Sequence, residues 1–415
     1  MNASHGEMAP AQLEGALAQS ALVQTAHSYL YQNYRQPPVV LVRGRGCEVW
    51  DVTGKRYLDL CAGIAVSTLG HAHPRLVRAL SEQAARLLHV SNYFFNEPNI
   101  RLSDKLCAAT GMDRVFFCNS GTEAIEALLK LARRHFYMHG EPDRYQVVAF
   151  ENSFHGRTLG ALAATGQPKY RDGFGPLLGV THVAYGDARA VRASMGPNVA
   201  AILVEPIQGE GGVVPAPDGF LSELREIADQ HGALLLMDEV QTGVGRTGRF
   251  LGCQHEGVLP DALALAKALG GGVPIGAMLC RAHLAEALPA GSHGSTFGGN
   301  ALASAAGLAV LEALEEEKLV ERAAKLGTEL GAMLRELVRR HPTKLESSRG
   351  RGLLQALVFA PGREVRAVLG PLLDGGVLLT AAGPQALRFS PPLVVTESEL
   401  EEGVRLVDKV LETIG

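Results

Sequence analysis

The amino-acid sequence predicts an α/β protein: a large domain with a mostly parallel sheet covered by helices, plus a smaller α+β domain built from both chain ends. Three observations carry that prediction. Short, near-continuous apolar runs at residues 147–150, 201–204, 234–237 and 262–266 recur through the middle of the chain with helical stretches between them. Strands that read this way are buried on both faces, which is the pattern of a parallel sheet between helix layers. After Ala301 the pattern changes to a long helical stretch, and then to short strands and a last helix, the mark of a second unit.

The elements follow in order. Residues 1 to about 20 are Ala/Gln-rich and predict little beyond a short helix. Residues 39–60 alternate and turn at Gly44, Gly46 and Asp51-Val52-Thr53-Gly54, which predicts a small antiparallel hairpin unit. Residues 76–88 have helical spacing, 115–117 form a short strand, and 122–137 form a helix with Ile125, Leu128, Leu129 and Ala132 on one face. Helix is expected from 301 through about 340, then strands at 353–359, 377–380 and 387–390 and a terminal helix. The predicted domains are 1–70 (N-terminal part of the small domain), 71–306 (large domain) and 307–415 (C-terminal part of the small domain). No internal repeat or low-complexity linker interrupts them.

Composition narrows the function. The chain has 415 residues, 47% hydrophobic and 20% charged, with a formal net charge of −4. No basic block points to nucleic acid or to an anionic membrane surface. No apolar run approaches the roughly 18 residues that a membrane span needs. The N-terminus has no basic stretch followed by an apolar core. The six cysteines are scattered without a C-x-x-C pair, so they read as reduced cytoplasmic thiols and not as metal ligands.

Lys267 is the most informative residue. It follows an apolar, strand-like run and precedes Gly270-Gly271-Gly272. Lysine is rare inside such a run. Burial favours the neutral amine, the form that condenses with an aldehyde. A snorkelling surface lysine is the plain alternative.

Other segments supply partners. Asn119-Ser120-Gly121-Thr122-Glu123 joins a strand to a helix, and its N–H groups at the positive end of the helix dipole suit a phosphate; an ordinary N-cap would look the same. Asp238 and Gln241 end the most apolar strand, where open α/β sheets bind ligands. Asp238 suits a protonated ring nitrogen and Gln241 a ring hydroxyl. Phe154 suits stacking on a planar ring, and Arg157 suits a carboxylate clamp. His155 between them reads as structural. Glu210 lies between glycines in Gln208-Gly209-Glu210-Gly211-Gly212, as a site acid or a turn acid. Arg388 lies in an apolar segment and needs an anionic partner there. Ser295 and Thr296 place hydroxyls beside Gly298-Gly299. Gly243-Val244-Gly245-Arg246-Thr247-Gly248 matches G-x-G-x-x-G, but no amphipathic helix follows it and the strand-end acids precede it, so a dinucleotide site is rejected. No G-x-x-x-x-G-K-[ST] match occurs.

Taken in order from Leu69-Gly70-His71-Ala72-His73-Pro74 to Arg388-Phe389-Ser390-Pro391-Pro392, these segments resemble the class III, fold-type I pyridoxal-phosphate aminotransferases. The resemblance covers most of the chain and implies roles for its residues. Lys267 would hold the cofactor and later move the proton. Asp238 would pair with the pyridinium nitrogen, Phe154 and Val240 would cover the two ring faces, and Gln241 would meet the ring hydroxyl. Ser120, Gly121 and Thr122 would bind the phosphate of pyridoxal 5'-phosphate. Thr296 would reach the cofactor of the neighbouring subunit, which implies a homodimer with shared sites. Arg157 and Ser295 would contact substrate. Glu210 would neutralise Arg388 for an acylated amine donor and release it for 2-oxoglutarate.

Within that family, Ser91-Asn92-Tyr93-Phe94-Phe95-Asn96-Glu97-Pro98 and Met237-Asp238-Glu239-Val240-Gln241-Thr242-Gly243 are most similar to members acting on N2-acetylornithine, with 2-oxoglutarate as acceptor, in arginine biosynthesis. Succinylornithine, N-succinyl-diaminopimelate and 4-aminobutyrate are the alternative donors. The sequence departs from the family pattern at Ile125 and Ala301, where packing accounts for the change. It departs also at Ile64, where enzymes of free ornithine carry a tyrosine.

Overall fold

Valine, leucine, isoleucine and alanine fill the central strands without alternation, and the computed structural model, which describes residues 10–414, buries them on both faces. Seven strands form the large sheet: β1 (Arg114–Cys118), β2 (Gln146–Phe150), β3 (Val180–Val183), β4 (Val199–Val204), β5 (Leu234–Asp238), β6 (Ala262–Leu265) and β7 (Gly276–Cys280). Their spatial order is β1-β7-β6-β5-β4-β2-β3. Only β7 runs antiparallel to its neighbours, β6 and β1. The other strands are parallel, so their carboxyl ends open on one side of the sheet, the side where a ligand can meet several loops at once.

The chain ends build two smaller sheets. Leu41–Arg45, Glu48–Asp51 and Arg56–Asp59 form an antiparallel run, completed by Val377–Leu378 in parallel with Arg56–Asp59. The turn inside it is set by Asp51, whose Oδ1 accepts the N–H groups of Thr53 (2.9 Å) and Lys55 (3.0 Å). A second, antiparallel sheet has the order Leu345–Arg351, Leu354–Phe359, Ala386–Phe389, Thr380–Ala382. The strand expected over 377–380 is therefore two strands in different sheets, and the unit expected over 39–60 has three strands instead of a hairpin's two.

The helical stretch after Ala301 divides into Ala301–Glu316 and Leu319–Arg340, because Lys318 between them takes a left-handed conformation at φ 50°. The N-terminal helix, expected to be short, runs over Pro10–Tyr29; residues 1–9 of that expectation lie outside the described part. Among the described residues no helix is long and apolar enough to cross a membrane, and no cluster of three or more His, Cys, Asp or Glu could hold a metal.

Candidate active site

Five strands, β1, β2, β4, β5 and β6, deliver functional groups to the open edge of the sheet. The loop after β1 carries Ser120, Gly121 and Thr122; that after β2 carries Phe154, His155 and Arg157; that after β4 carries Glu205 and Glu210. Strand β5 ends in Asp238, followed by Val240 and Gln241, and β6 is followed by Lys267. Eleven of these residues, with Asn119, Val66 and the 272–275 turn, line one cavity of about 400 Å³: Ser120, Gly121, Thr122, Phe154, His155, Arg157, Glu205, Asp238, Val240, Gln241 and Lys267; Glu210 lies outside that lining.

Lys267 opens a short 3-10 turn, Lys267–Gly270, at φ 40°. A left-handed lysine is an outlier held by its surroundings. Burial pushes its pKa down; Glu210 opposes that and Arg388 adds to it. The neutral, nucleophilic amine is thereby more available than on an exposed lysine.

Asp238 is buried, and both of its oxygens are fixed. Oδ2 lies 2.7 Å from Nδ1 of His155, and Oδ1 accepts the N–H of Val240 at 3.0 Å. A carboxylate has room for a further donor, so its capacity is not used up. Burial alone would lower the His155 pKa, but the hydrogen bond and charge of Asp238 outweigh it and the pKa is raised. The structural role expected of His155 takes a definite form: from its place behind Asp238 it orients the acid.

Ser120 caps the Gly121–Met138 helix, its Oγ accepting the N–H of Glu123, while Glu123 accepts the Asn119 N–H at 2.6 Å. First-turn N–H groups of a helix have no partner within it, and here that end lines the cavity. Thr122 Oγ1 accepts the N–H groups of Arg157 (3.2 Å) and Thr158 (3.3 Å) and so ties the β2 loop to the helix. Gly156 passes this contact at φ 141°, where a Cβ would lie 2.2 Å from Thr122 Oγ1.

The two arginines differ. Arg157 is exposed at the mouth, its guanidinium 3.8 Å over the Tyr170 ring and 5.4 Å from that of Phe154. Arg388 is 1% exposed and hydrogen-bonded throughout. Nη1 pairs with Glu210 Oε1 and donates to Gln241 Oε1 at 3.1 Å, and Nε and Nη2 both reach Thr380 Oγ1 at 3.3 Å. Burial raises the Glu210 pKa, but Arg388 and then Lys267 outweigh it and leave the carboxyl below its ordinary value. The anion that Arg388 requires is thus Glu210.

Ser295 and Thr296 are not brought into this cavity. They line a separate cleft of about 330 Å³ with Glu123, Glu126 and His293, and Asn119 forms the wall common to both. Ser295, expected to contact substrate, thus lies in the neighbouring cleft. Its Oγ accepts the Gly298 N–H (3.0 Å) and the Asn119 amide (3.3 Å), which closes a local turn. The G-x-G-x-x-G stretch is a buried packing loop. Gly248 sits where a Cβ would come within 2.8 Å of Ala324, and Arg246 is fully buried and donates to the carbonyl of Leu353 at 3.1 Å.

A family model for class-III aminotransferases matches residues 29–411. The chain belongs to that family. An acetylornithine aminotransferase from Myxococcus xanthus is 51% identical over 92% of this chain and 95% of its own length. A succinylornithine transaminase/acetylornithine aminotransferase from Pseudomonas aeruginosa is 44% identical over 92% and 95%. An ornithine aminotransferase from Toxoplasma gondii, whose structure has partial occupancy of PLP at the active site, superposes with a TM-score of 0.90 at 36% identity, over 98% of this chain and 99% of that one.

The cavity of this class-III aminotransferase fits such a cofactor. It offers an amine of depressed pKa, a buried acid held by a histidine, a helix N-terminus, and an apolar pair, Phe154 and Val240, on its walls.

Proposed function

We propose that this aminotransferase moves the δ-amino group of N2-acetyl-L-ornithine to 2-oxoglutarate, giving N-acetyl-L-glutamate 5-semialdehyde and L-glutamate, in the arginine-biosynthetic route of the cytoplasm. Pyridoxal 5'-phosphate is the cofactor, and the two half-reactions alternate in one cavity. When bound, the cofactor supplies the carbonyl and the electron sink that let an amino group be parked between substrates. Lys267 Nζ would hold it and carry the proton at the reacting carbon. Asp238, oriented by His155, would keep the ring nitrogen protonated. Ser120, Gly121 and Thr122 would hold the phosphate, Gln241 would meet the ring hydroxyl, and Phe154 and Val240 would cover the ring faces.

The pairing of Arg388 with Glu210 carries the proposal. With that pair closed, Arg157 is the one arginine among the described residues lining the cavity that is left for a carboxylate, which matches the single α-carboxylate of an acylated diamino acid. The dicarboxylate 2-oxoglutarate needs both arginines, so Glu210 must leave Arg388 when it enters. Relatives named for acetylornithine support the same donor. Ile64 stands against free ornithine, and the name of the Pseudomonas aeruginosa relative keeps succinylornithine as the second reading.

The same proposal includes a homodimer in which Thr296, and with it Ser295, faces the partner's cofactor. Exposed Tyr93, Phe94, Phe95 and Phe297 support a covered face there. It also includes a cofactor domain over 71–306 and a small domain from 1–70 and 307–415, supported by the pairing of Val377–Leu378 with Arg56–Asp59.

The test is a panel of amino donors with 2-oxoglutarate. Acetylornithine, succinylornithine, N-succinyl-diaminopimelate, ornithine and 4-aminobutyrate are compared by kcat/KM. Acetylornithine should lead; ornithine or 4-aminobutyrate ahead of the acylated donors overturns the assignment.

A further inference from the structure

We propose that Glu205 is a positioning residue that sets how firmly Glu210 closes on Arg388, by pinning together the two loops that recognise substrate. The inference rests on the Glu210 switch proposed above. Glu205 follows β4, whose neighbour in the sheet is β2. It is 6% exposed, lines the cavity, and among the described residues has no lysine or arginine in ion-pair contact. Its carboxylate is spent on backbone instead. Oε2 accepts the N–H of Phe154 at 3.0 Å, in the loop that leads to Arg157. Oε1 accepts the N–H of Gly209 at 3.4 Å, the residue before Glu210.

The Gly209 backbone is in turn pressed on the switch. A Cβ at Gly209 would lie 2.3 Å from Gln241 Oε1, the atom that accepts from Arg388. Tyr185 fixes the base of the same loop by donating to the carbonyls of Glu205 (2.8 Å) and Pro206 (3.2 Å). One carboxylate thus joins the Arg157 arm to the Glu210 arm. A buried acid is costly, and burial pushes its pKa up. Two buried N–H donors on separate loops explain its presence, because an apolar side chain would leave both unsatisfied.

Loosening Gly209 should weaken the hold of Glu210 on Arg388. Donors with one recognised carboxylate then lose more than dicarboxylates, which need Arg388 free in any case. Glu205→Gln has the same shape but can accept only one of the two N–H groups, and presents a donor to the other. The experiment measures kcat/KM for acetylornithine and for glutamate as amino donors on the holoenzyme. In Glu205→Gln the acetylornithine-to-glutamate ratio should fall about tenfold. In a Glu210→Ala background the same substitution should leave the ratio unchanged.

Glu239→Gln is the control. Glu239 is a buried acid that accepts the N–H groups of Gly252 and Cys253, both at 2.8 Å, and does not line the cavity; its loss should lower the melting temperature without moving the ratio. Equal losses for both donors in Glu205→Gln, or effects that simply add to those of Glu210→Ala, overturn the proposal. If Glu205→Gln does not yield folded holoenzyme, Glu205→Asp, which withdraws the same oxygens by one methylene, must show the same fall in ratio or the proposal fails. A wild-type enzyme that does not use acetylornithine sinks the functional assignment instead, and that is visible before any variant is made.

Discussion

Two arginines of the candidate site have opposite surroundings, and the difference sets what each can do. Arg157 rests over Tyr170 at the mouth, while Arg388 is enclosed against Glu210, Gln241 and Thr380. Arg157→Ala should raise KM for both acetylornithine and 2-oxoglutarate, by about 10- to 100-fold for a lost charge-assisted pair, with the melting temperature little changed; steady-state kinetics with each substrate varied in turn checks this. The carboxyl of Glu210 is held below the ordinary glutamate value of 4.5, burial being outweighed by Arg388. Its contribution to folding is fully present above that value and is lost as the pH falls through the lowered one. The stability gap between the wild type and Glu210→Gln in urea unfolding should therefore be constant near neutrality and shrink as the pH falls below 4.5; a gap that widens in acid contradicts the pairing. The need of Arg388 for an anion is legible in its apolar sequence setting. Which anion is not, because 178 positions separate the partners and only the fold closes that distance. Glu205 left no sequence signal beyond a strand-end acid, since its partners are backbone N–H groups that any residue type supplies.

Loops after the parallel strands carry the chemistry, and their fit depends on what crosses between them. Gly156 lets the β2 loop pass Thr122 in a conformation that side chains rarely adopt. Gly156→Ala should cost about 1–3 kcal/mol by clash and strain, and should raise KM because Arg157 follows directly. Thermal melting and kinetics on the purified variant report both effects, and an unchanged melting temperature would contradict the close approach. Apolar runs made β2, β4, β5 and β6 legible in the sequence, though each boundary shifts by a residue or two. β7 was missed, because Gly276 and the glycine run before it resemble a loop. β3, Val180–Val183, was missed because a histidine and a threonine dilute it. The helix Glu97–Thr110 was missed although Asn96 caps it, Pro98 stands in its first turn and Gly111 ends it in a left-handed conformation. Those are complete boundary signals; its apolar positions are too few to stand out beside them.

The whole chain brings distant segments together in ways that local patterns cannot announce. The change in pattern after Ala301 was legible; the division of the strands beyond it between two sheets was not, since one residue, Leu379, separates two strands that leave for different partners. If Thr296 serves the partner's site, mixing Lys267→Ala chains with Thr296→Asp chains should restore one wild-type site in each mixed pair, because one of its two sites then receives both native residues. Refolded mixtures assayed for cofactor retention and turnover check this, and no recovery would place Thr296 at its own chain's cofactor. The parallel pairing of Val377–Leu378 with Arg56–Asp59 has a consequence for the order of events during folding. A contact spanning most of the polypeptide closes a very long loop, so the terminal sheet should be assembled after the central one. The sole tryptophan, Trp50, lies in that terminal sheet with Arg43 4.2 Å over its ring, a built-in optical reporter. On dilution from denaturant its fluorescence should settle later than the far-ultraviolet circular dichroism, and coincident traces would show that the two ends meet as early as the middle forms.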